Sequence, residues 1–399
     1  MSLMKVELFR LGDLAHYING RGFKPTELVS KGLPVIRIAN LNNSNAPFDY
    51  FDGVLDDGHL IHKGDILVSW SASLDTYIWD KDLAALNQHI FKVVPNTTLI
   101  DHEFLFFLLK QAMNGLREMV HGATMQHVTR PEFESYEVFI PTQKESQRLI
   151  AAKLKAQFAE LEKARQSLES QQQEVVNLAN TIIRESIEHS VGAGHARDLR
   201  HGDVPSRAWP APTHNQISVT ETRLGDVLVE IKQGIGPNWA DYLVLGATRG
   251  GLAPAKEPPG KQPQRYKPVF CGTVFYNPMR IMIGSIAFVD DDDKPGITSP
   301  DYVALQGKAG QVDSRWFYYW LRSPYGEQCI NSLARGAVRE RMLFNRLAEG
   351  LIMLPSYPDQ VRASKALATL KPVKSAIQKE LNELNKIPER LLAQAFEMK

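Results

Sequence analysis

Leu11-Gly12-Asp13-Leu14 and Leu224-Gly225-Asp226-Val227 open two copies of one pattern set roughly 213 residues apart, and the order of matches after them decides the fold. Midway through each copy, His62-Lys63-Gly64-Asp65-Ile66-Leu67-Val68-Ser69 answers Phe270-Cys271-Gly272-Thr273-Val274-Phe275-Tyr276-Asn277. The aromatic run Phe104-Leu105-Phe106-Phe107-Leu108-Leu109-Lys110 then answers Trp316-Phe317-Tyr318-Tyr319-Trp320-Leu321-Arg322, and His121-Gly122-Ala123 answers Arg335-Gly336-Ala337. Each copy reaches an apolar strand ending in proline, Val138-Phe139-Ile140-Pro141 and Leu351-Ile352-Met353-Leu354-Pro355, followed by a helix with a glutamine near its start, Gln147 or Gln360. The repeat is far longer than the roughly 20 to 50 residues of a solenoid unit, so it predicts two domains rather than an array.

Within each copy, short β-favouring runs such as Val35-Ile36-Arg37-Ile38 and Ile66-Leu67-Val68-Ser69-Trp70 alternate with turn signals at Gly20-Arg21-Gly22, Asn40 to Asn45, Asp56-Asp57-Gly58 and Lys63-Gly64-Asp65. Asp101 to Met119 has the 3.6-residue apolar spacing of a helix. Each copy therefore reads as an α+β domain. Between them, residues 143–190 contain no glycine or proline and place Leu154, Leu161, Leu168, Val175 and Ile182 every seventh residue, with Phe158, Arg165, Gln172 and Ala179 at the offset positions. That is a heptad seam with two polar interruptions, which set register and partner more than they add stability. The second copy repeats it with Leu370, Ile377, Leu384 and Leu391, offset by Leu381 and Ala395, and Pro372 and Pro388 predict kinks there. Two interrupted seams in one chain are most simply satisfied by each other as an antiparallel pair. The stretch 191–219, rich in Gly, Pro, His and Arg, reads as a linker.

Composition narrows the function classes. With 43% hydrophobic residues the chain can bury a real core. No apolar run approaches the roughly 20 residues needed to cross a bilayer, and the expected location is cytoplasmic. Two cysteines, Cys271 and Cys329, argue against a disulfide framework and read as small buried hydrophobes. Net charge is +1. Residues 1–142 carry 12 bases against 17 acids and residues 220–355 carry 16 against 14, so neither copy is a generally basic domain. Any nucleic-acid binding must come from local patches or from a partner that supplies positive charge.

A search for catalytic chemistry returns little. Tyr276-Asn277-Pro278-Met279 lacks the second proline of an amine-methylating motif and has no cofactor loop upstream, so it reads as a turn. Gly260-Lys261 is followed by Gln262 and preceded by Ala255 where a phosphate-binding loop needs glycine. His59 with His62 reads as polar surface, and Asp290 to Asp293 as a solvated hairpin tip rather than a metal site. No metal ligands are assigned.

Polar loops are more informative. Gly122-Ala123-Thr124-Met125-Gln126-His127-Val128-Thr129-Arg130 and Gly336-Ala337-Val338-Arg339-Glu340-Arg341 share a frame while their tips differ. Glutamine and arginine are the side chains that read adenine and guanine edges bidentately, so one scaffold with two tips suits two different sequences. The candidate nucleic-acid-binding set is Arg21, Lys24, Asn40, Asn42, Thr124, Gln126, His127 and Arg130 in the first copy, and Lys232, Arg249, Arg265, Lys267, Arg280, Arg339 and Arg341 in the second. The bland reading is ordinary solvated loop residues. Trp70, Tyr77, Tyr266 and Tyr302 read more readily as packing residues than as base-stacking platforms.

The whole arrangement resembles the specificity subunit of type I restriction-modification systems, the HsdS family. The resemblance covers nearly the full chain and rests on the Leu-Gly-Asp openings, Lys63-Gly64-Asp65-Ile66-Leu67, Gly122-Ala123-Thr124-Met125-Gln126 with Gly336-Ala337, the Ile140-Pro141 to Gln147 junction and Leu391-Leu392-Ala393-Gln394-Ala395-Phe396. Copy two departs from it with Thr273 in place of Asp65, and with Arg339 and Arg341 in place of Met125 and His127. The resemblance implies an α+β chain of two pseudo-repeated target-recognition domains separated by two long antiparallel coiled-coil helices. The expected boundaries are 1–142 and 220–356 for the domains, 143–190 and 357–399 for the helices, and 191–219 for the linker. It further implies a non-catalytic subunit binding a two-part double-stranded DNA target, docking methyltransferase subunits, two by expectation, that carry S-adenosylmethionine, and joined by restriction-translocase subunits. A related system with modification and cleavage fused on one partner, or a duplicated protein-interaction scaffold, are the competing readings.

Overall fold

The computed structural model describes residues 5–43, 45–71, 74–121, 129–188, 219–334 and 341–397. The chain forms two compact units that cut across the linear boundaries. One unit comprises 1–168 with 380–399, the other 169–379. Each therefore contains one domain together with portions of both helical arms.

The two domains match strand for strand except for one added edge strand. In the first, Val6–Arg10 pairs antiparallel with Glu137–Pro141, and in the second, Thr220–Arg223 pairs antiparallel with Leu351–Leu354. A four-stranded antiparallel sheet follows in each. Its order is Ala15–Asn19, Ile90–Pro95, Ile66–Ser69, Asp75–Ile78 in the first domain and Leu228–Glu230, Val303–Gly307, Val274–Tyr276, Ile286–Phe288 in the second. A further mixed sheet carries one parallel pair in each copy, Leu33–Ile36 with Ala84–Leu86 and Leu243–Thr248 with Gly296–Thr298. The first domain adds the edge strand Leu28–Val29 to it.

The shared turn shows why the sequence match is structural. Gly64 and Gly272 both have positive φ, 97° and 84°, and a Cβ at either would meet nothing within 4 Å. Backbone conformation rather than space therefore requires glycine at both. The Gly64 N–H donates to Trp79 O at 2.7 Å and the Gly272 N–H to Val289 O at 2.9 Å. The change from Asp65 to Thr273 preserves the local bond: the Asp65 carboxylate accepts from the His62 N–H at 2.8 Å, and Thr273 Oγ1 accepts from the Phe270 N–H at 3.2 Å.

The predicted helix over 101–119 is His102–His121. Two local expectations are corrected. Arg37-Ile38 leaves the strand, because Asn40 Oδ1 accepts the Arg37 N–H at 3.0 Å and starts a short helix, Ile38–Asn42, where a turn was expected. The acidic run Asp290 to Asp293 is only in part the solvated tip expected: Asp291 and Asp292 are exposed, but all four carboxylates face basic side chains. Asp290 is buried against Arg315, Asp291 pairs with Arg315 at 2.7 Å, and Lys371 pairs with Asp292 and, at 2.9 Å, with Asp293.

The first arm is one helix, Lys144–Glu188. The second is three, Tyr357–Ala368, Leu370–Leu384 and Ile387–Phe396. The expected proline kinks appear as breaks two to three residues upstream, at Thr369 and at Asn385-Lys386. A proline lacks the N–H that continues a helix but fits its first turn, so each break leaves Pro372 or Pro388 near the start of a new helix. In the first unit, Ala151 and Leu154 from the start of the first arm share a core with Leu392 from the end of the second. In the other, Ala179, Ile183 and Ile187 from the end of the first arm share a core with Ala363, Leu367 and Leu370 from the start of the second. The arms are thus antiparallel. Among the seam residues, Leu154, Leu370, Ile377 and Leu381 are buried, while Phe158, Leu161, Leu168, Val175, Ile182, Leu384 and Leu391 are half-buried. The polar interruption at Gln172 faces a polar neighbour, donating to Gln378 at 3.4 Å. The linker expected over 191–219 lies, apart from Val219, outside the described residues. Among the described residues no helix is long and apolar enough to cross a membrane.

Candidate nucleic-acid interface

The two domains share one device upstream of the candidate loops. In each domain an aromatic-rich helix is started by an aspartate, and a fully buried glutamine of the arm holds that start in place. Asp101 Oδ1 accepts from the Glu103 and Phe104 N–H groups at 3.0 and 3.2 Å, and Asp313 accepts from the Trp316 N–H at 2.9 Å. Gln147 Oε1 accepts the Asp101 N–H at 2.7 Å, while its Nε2 donates to Leu99 O at 3.0 Å and Pro141 O at 2.8 Å. Gln360 repeats all three bonds, from the Asp313 N–H at 3.0 Å and to Gln311 O and Pro355 O at 3.0 and 2.9 Å. Both glutamines are 0% exposed. A buried amide with three bonds fixes arm, strand end and helix start as one body. The sequence shows these glutamines at matching places; their role needed the fold.

The candidate loops follow His102–His121 in the first domain and, in the second, a further helix, Pro324–Leu333. Thr124, Gln126, His127 and Arg339 lie outside the described residues. The flanks are described. Thr129 starts the short helix Arg130–Glu134, donating from its N–H and Oγ1 to Glu132 at 2.8 and 2.7 Å, and the exposed Arg130 pairs with Glu134 at 2.8 Å. In the second domain the exposed Arg341 pairs with Asp301 at 3.3 Å, and the Met342 N–H donates to Pro278 O at 3.1 Å, tying this flank to the 277–285 hairpin.

The remaining candidates divide by what already holds them. Asn40 is corrected to a structural residue: it is buried, and its amide donates to Ala46 O and Pro47 O at 3.3 and 3.1 Å. Lys267 is likewise turned inward. Its ammonium donates to Tyr302 O at 2.6 Å, and burial pushes its pKa down from the ordinary lysine value. Arg21 is paired with Glu27 and lies over the rings of Phe23 and Phe51 at 4.9 and 5.0 Å. Asn42 accepts from the Tyr77 hydroxyl at 2.6 Å. Lys24, Lys232, Arg249, Arg265 and Arg280 are exposed, with Lys232 3.4 Å from Glu230 and Arg265 donating to Gln262 at 3.0 Å. The aromatic candidates are packed or bonded locally. Trp70 stacks on Phe91 at 5.6 Å, the Tyr266 hydroxyl accepts the Gly260 N–H at 3.0 Å, and Tyr302 lies 6.2 Å from Phe275.

The cysteines separate. Cys329 is buried and its pKa is pushed up to about 11 by that burial, whereas Cys271 is exposed, contrary to expectation, and donates to Asp291 at 3.0 Å. Among the described residues no group of three or more His, Cys, Asp or Glu side chains could hold a metal ion.

Comparison with known proteins agrees with this arrangement. Residues 4–170 match the family model described as Type I restriction modification DNA specificity domain. The chain is 21% identical over 419 positions to the Type I restriction enzyme EcoBI specificity subunit of Escherichia coli, covering 97% of this chain and 84% of that protein. It is 20% identical over 398 positions to the Type I restriction enzyme MjaVIII specificity subunit of Methanocaldococcus jannaschii, covering 97% of this chain and 91% of that protein. A solved structure from work on complex assembly and conformational transition of the type I R-M system shares the fold, with a TM-score of 0.55, 17% identity and coverage of 98% of this chain and 97% of that one. With the domain match at one end and relatives aligned along nearly its whole length, the chain is similar throughout to type I restriction-modification specificity subunits and carries their DNA specificity domain over residues 4–170.

Proposed function

We propose that this chain is the non-catalytic subunit that gives a type I restriction-modification complex a two-part, non-palindromic DNA target, one half-site per domain. The observation that carries the reading is the Gln147 and Gln360 clamp, repeated bond for bond in two domains whose candidate loops differ in sequence. A duplicated frame with unlike tips suits an asymmetric bipartite sequence. The antiparallel arms set the unspecified gap between half-sites. Two methyltransferase subunits dock on the arms and bring S-adenosylmethionine, restriction-translocase subunits join them, and the complex works in the cytoplasm. The near-neutral chain, at +1, fits such an assembly, because partner subunits closing around DNA would supply much of the phosphate neutralisation that dominates affinity.

The test is methylome sequencing of a host carrying this chain with its methyltransferase partner. A two-part motif with a fixed gap is expected, and a contiguous palindrome or no motif overturns the reading. Arg341→Ala should relax one half-site only, by about 1 to 3 kcal/mol for a bidentate base contact. Its exposed pair with Asp301 is no obstacle, since such pairs contribute only about 0 to 1 kcal/mol. A uniform loss over all sequences reassigns Arg341 to phosphate. Removing one heptad from each arm shortens the helices by about 10.5 Å and should shorten the gap by about three base pairs. An unchanged gap rules out the ruler.

A further inference from the structure

The hairpin tip between Val274–Tyr276 and Ile286–Phe288 is where the second domain departs most visibly from the first. Met279, Met282 and Ile283 are 50%, 48% and 57% exposed there, and Leu343 beside them is 44% exposed. In the corresponding connection of the first domain, the described large apolar side chains are packed. Leu74 is buried, and Trp70 is stacked on Phe91 with its indole N–H buried. The shared frame therefore does not require an apolar surface at this place, and clustered exposed apolar side chains mark a binding surface.

The tip is also held firmly. The Arg280 N–H donates to Asn277 O at 2.9 Å, the Ile283 N–H to Arg280 O at 3.2 Å, and the Ser285 N–H to Arg280 O at 3.1 Å. Ser285 Oγ anchors the base to Ala247 O at 2.6 Å. Arg322 stitches the same base together, donating to Gly284 O, Ile286 O and Arg249 O at 3.2, 2.9 and 2.6 Å. A preorganised tip loses little entropy on binding. Its surroundings are cationic. Arg249 and Arg280 are exposed, and a cavity of about 210 Å³ beneath Met282 and Ile283 is lined by Arg249 and Arg322 with one acid, Glu327. The Met342 N–H to Pro278 O bond places this tip next to Arg341.

We propose that Met282 and Ile283 form an apolar contact on the DNA half-site read by the second domain, with Arg249 and Arg280 on flanking phosphates. The proposal rests on the specificity reading above and adds an element that recognition by polar side chains alone lacks. Charge complementarity selects DNA as the occupant: arginines surround an apolar tip, and methionine and isoleucine are among the side chains that contact thymine methyls or wedge against base steps. Arg322 is a positioning residue that acts through the hairpin.

The experiment uses the chain assembled with its methyltransferase partner. The Met282→Ser, Ile283→Ser double variant replaces exposed side chains, so assembly should be retained. Affinity for the target should fall about tenfold or more, as two apolar side chains lose their burial. Methylome sequencing should show relaxation confined to one half-site. Arg280→Ala should instead weaken binding uniformly and reduce the salt slope by about one. A photo-crosslinking residue at position 282 should label DNA carrying the target. Labelling of a methyltransferase subunit alone overturns the proposal. An unsubstituted complex that methylates no two-part sequence sinks the specificity reading and this contact with it. A two-part motif that the serine variant leaves unchanged, in sequence and affinity, overturns the contact alone.

Discussion

The two domains share a backbone frame but join their arms by different chemistry. In the first, the junction is aromatic: Phe104 meets Phe396 at 5.4 Å and Phe107 meets Phe158 at 5.5 Å, with Lys155 paired to Glu103 at the rim. In the second, the apolar core that Ile183, Ile187, Leu367 and Leu370 share with the domain carries an added ionic and polar rim. Arg315 and Lys371 grip Asp290 to Asp293, Lys374 donates to Gly250 O at 2.8 Å, and the Trp316 indole N–H donates to Ser186 Oγ at 2.9 Å. A frame held by backbone bonds and two glutamines tolerates either solution, so the contacts around it are free to diverge. The ionic junction should be the one that responds to salt and acid.

That contrast can be broken at several points. The largest effect expected is from Phe104→Ala, about 4 kcal/mol, because a fully buried ring leaves a cavity in the first domain and beneath the C-terminal helix. Hydrogen exchange should localise the loss to the first unit; an equal loss in the second would contradict the separation of cores. Next, Gln147→Leu and Gln360→Leu should each cost about 3 kcal/mol by leaving one N–H and two carbonyls buried without a partner. Similar costs in chemical denaturation would sharpen the case for one repeated frame, whereas a silent variant at either site would break it.

Smaller effects test the ionic side. Lys371→Ala should cost about 1 kcal/mol, discounted because the ammonium is about one-third exposed, and the difference should shrink at high salt. Acid should loosen the same junction. The Cys271 thiol and Arg315 hold the Asp291 carboxyl below its ordinary value, and Lys371 does the same for Asp292. A carboxyl depressed in the folded state stabilises the fold above its unfolded pKa, about 3.9, and that stabilisation is lost as pH falls through the lower folded value. Exchange rates at Val274–Tyr276 should therefore rise below about pH 4 more than those at Ile66–Ser69. Equal responses would remove the distinction between the junctions.

Much of this architecture was legible before any coordinates. The duplicated openings, the Gly64 and Gly272 turns, the strand-proline-helix junctions and the heptad arms are local patterns, and local patterns constrain backbone directly. Pro372 and Pro388 announced the broken second arm for the same reason, although each break falls upstream of its proline. The candidate interface was less legible. Asn40 and Lys267 share the residue types of nucleic-acid readers, but segments near or far in sequence satisfy their polar groups internally. Asp290 to Asp293 look like a plain solvated tip, and only the fold brings Arg315 and Lys371 from distant helices to bury Asp290 and pair with the others. Met282 and Ile283 resemble core residues in sequence and are exposed in the fold.

Periodicity and turn chemistry act over a few residues and recur in order, so two duplicated domains with paired helical arms, and the resemblance to type I specificity subunits, could be read from the chain alone. Which charged and apolar side chains remain available to a partner emerges from the fold. Availability depends on what the rest of the chain has already packed against or hydrogen-bonded, and that is set by contacts between residues far apart in sequence.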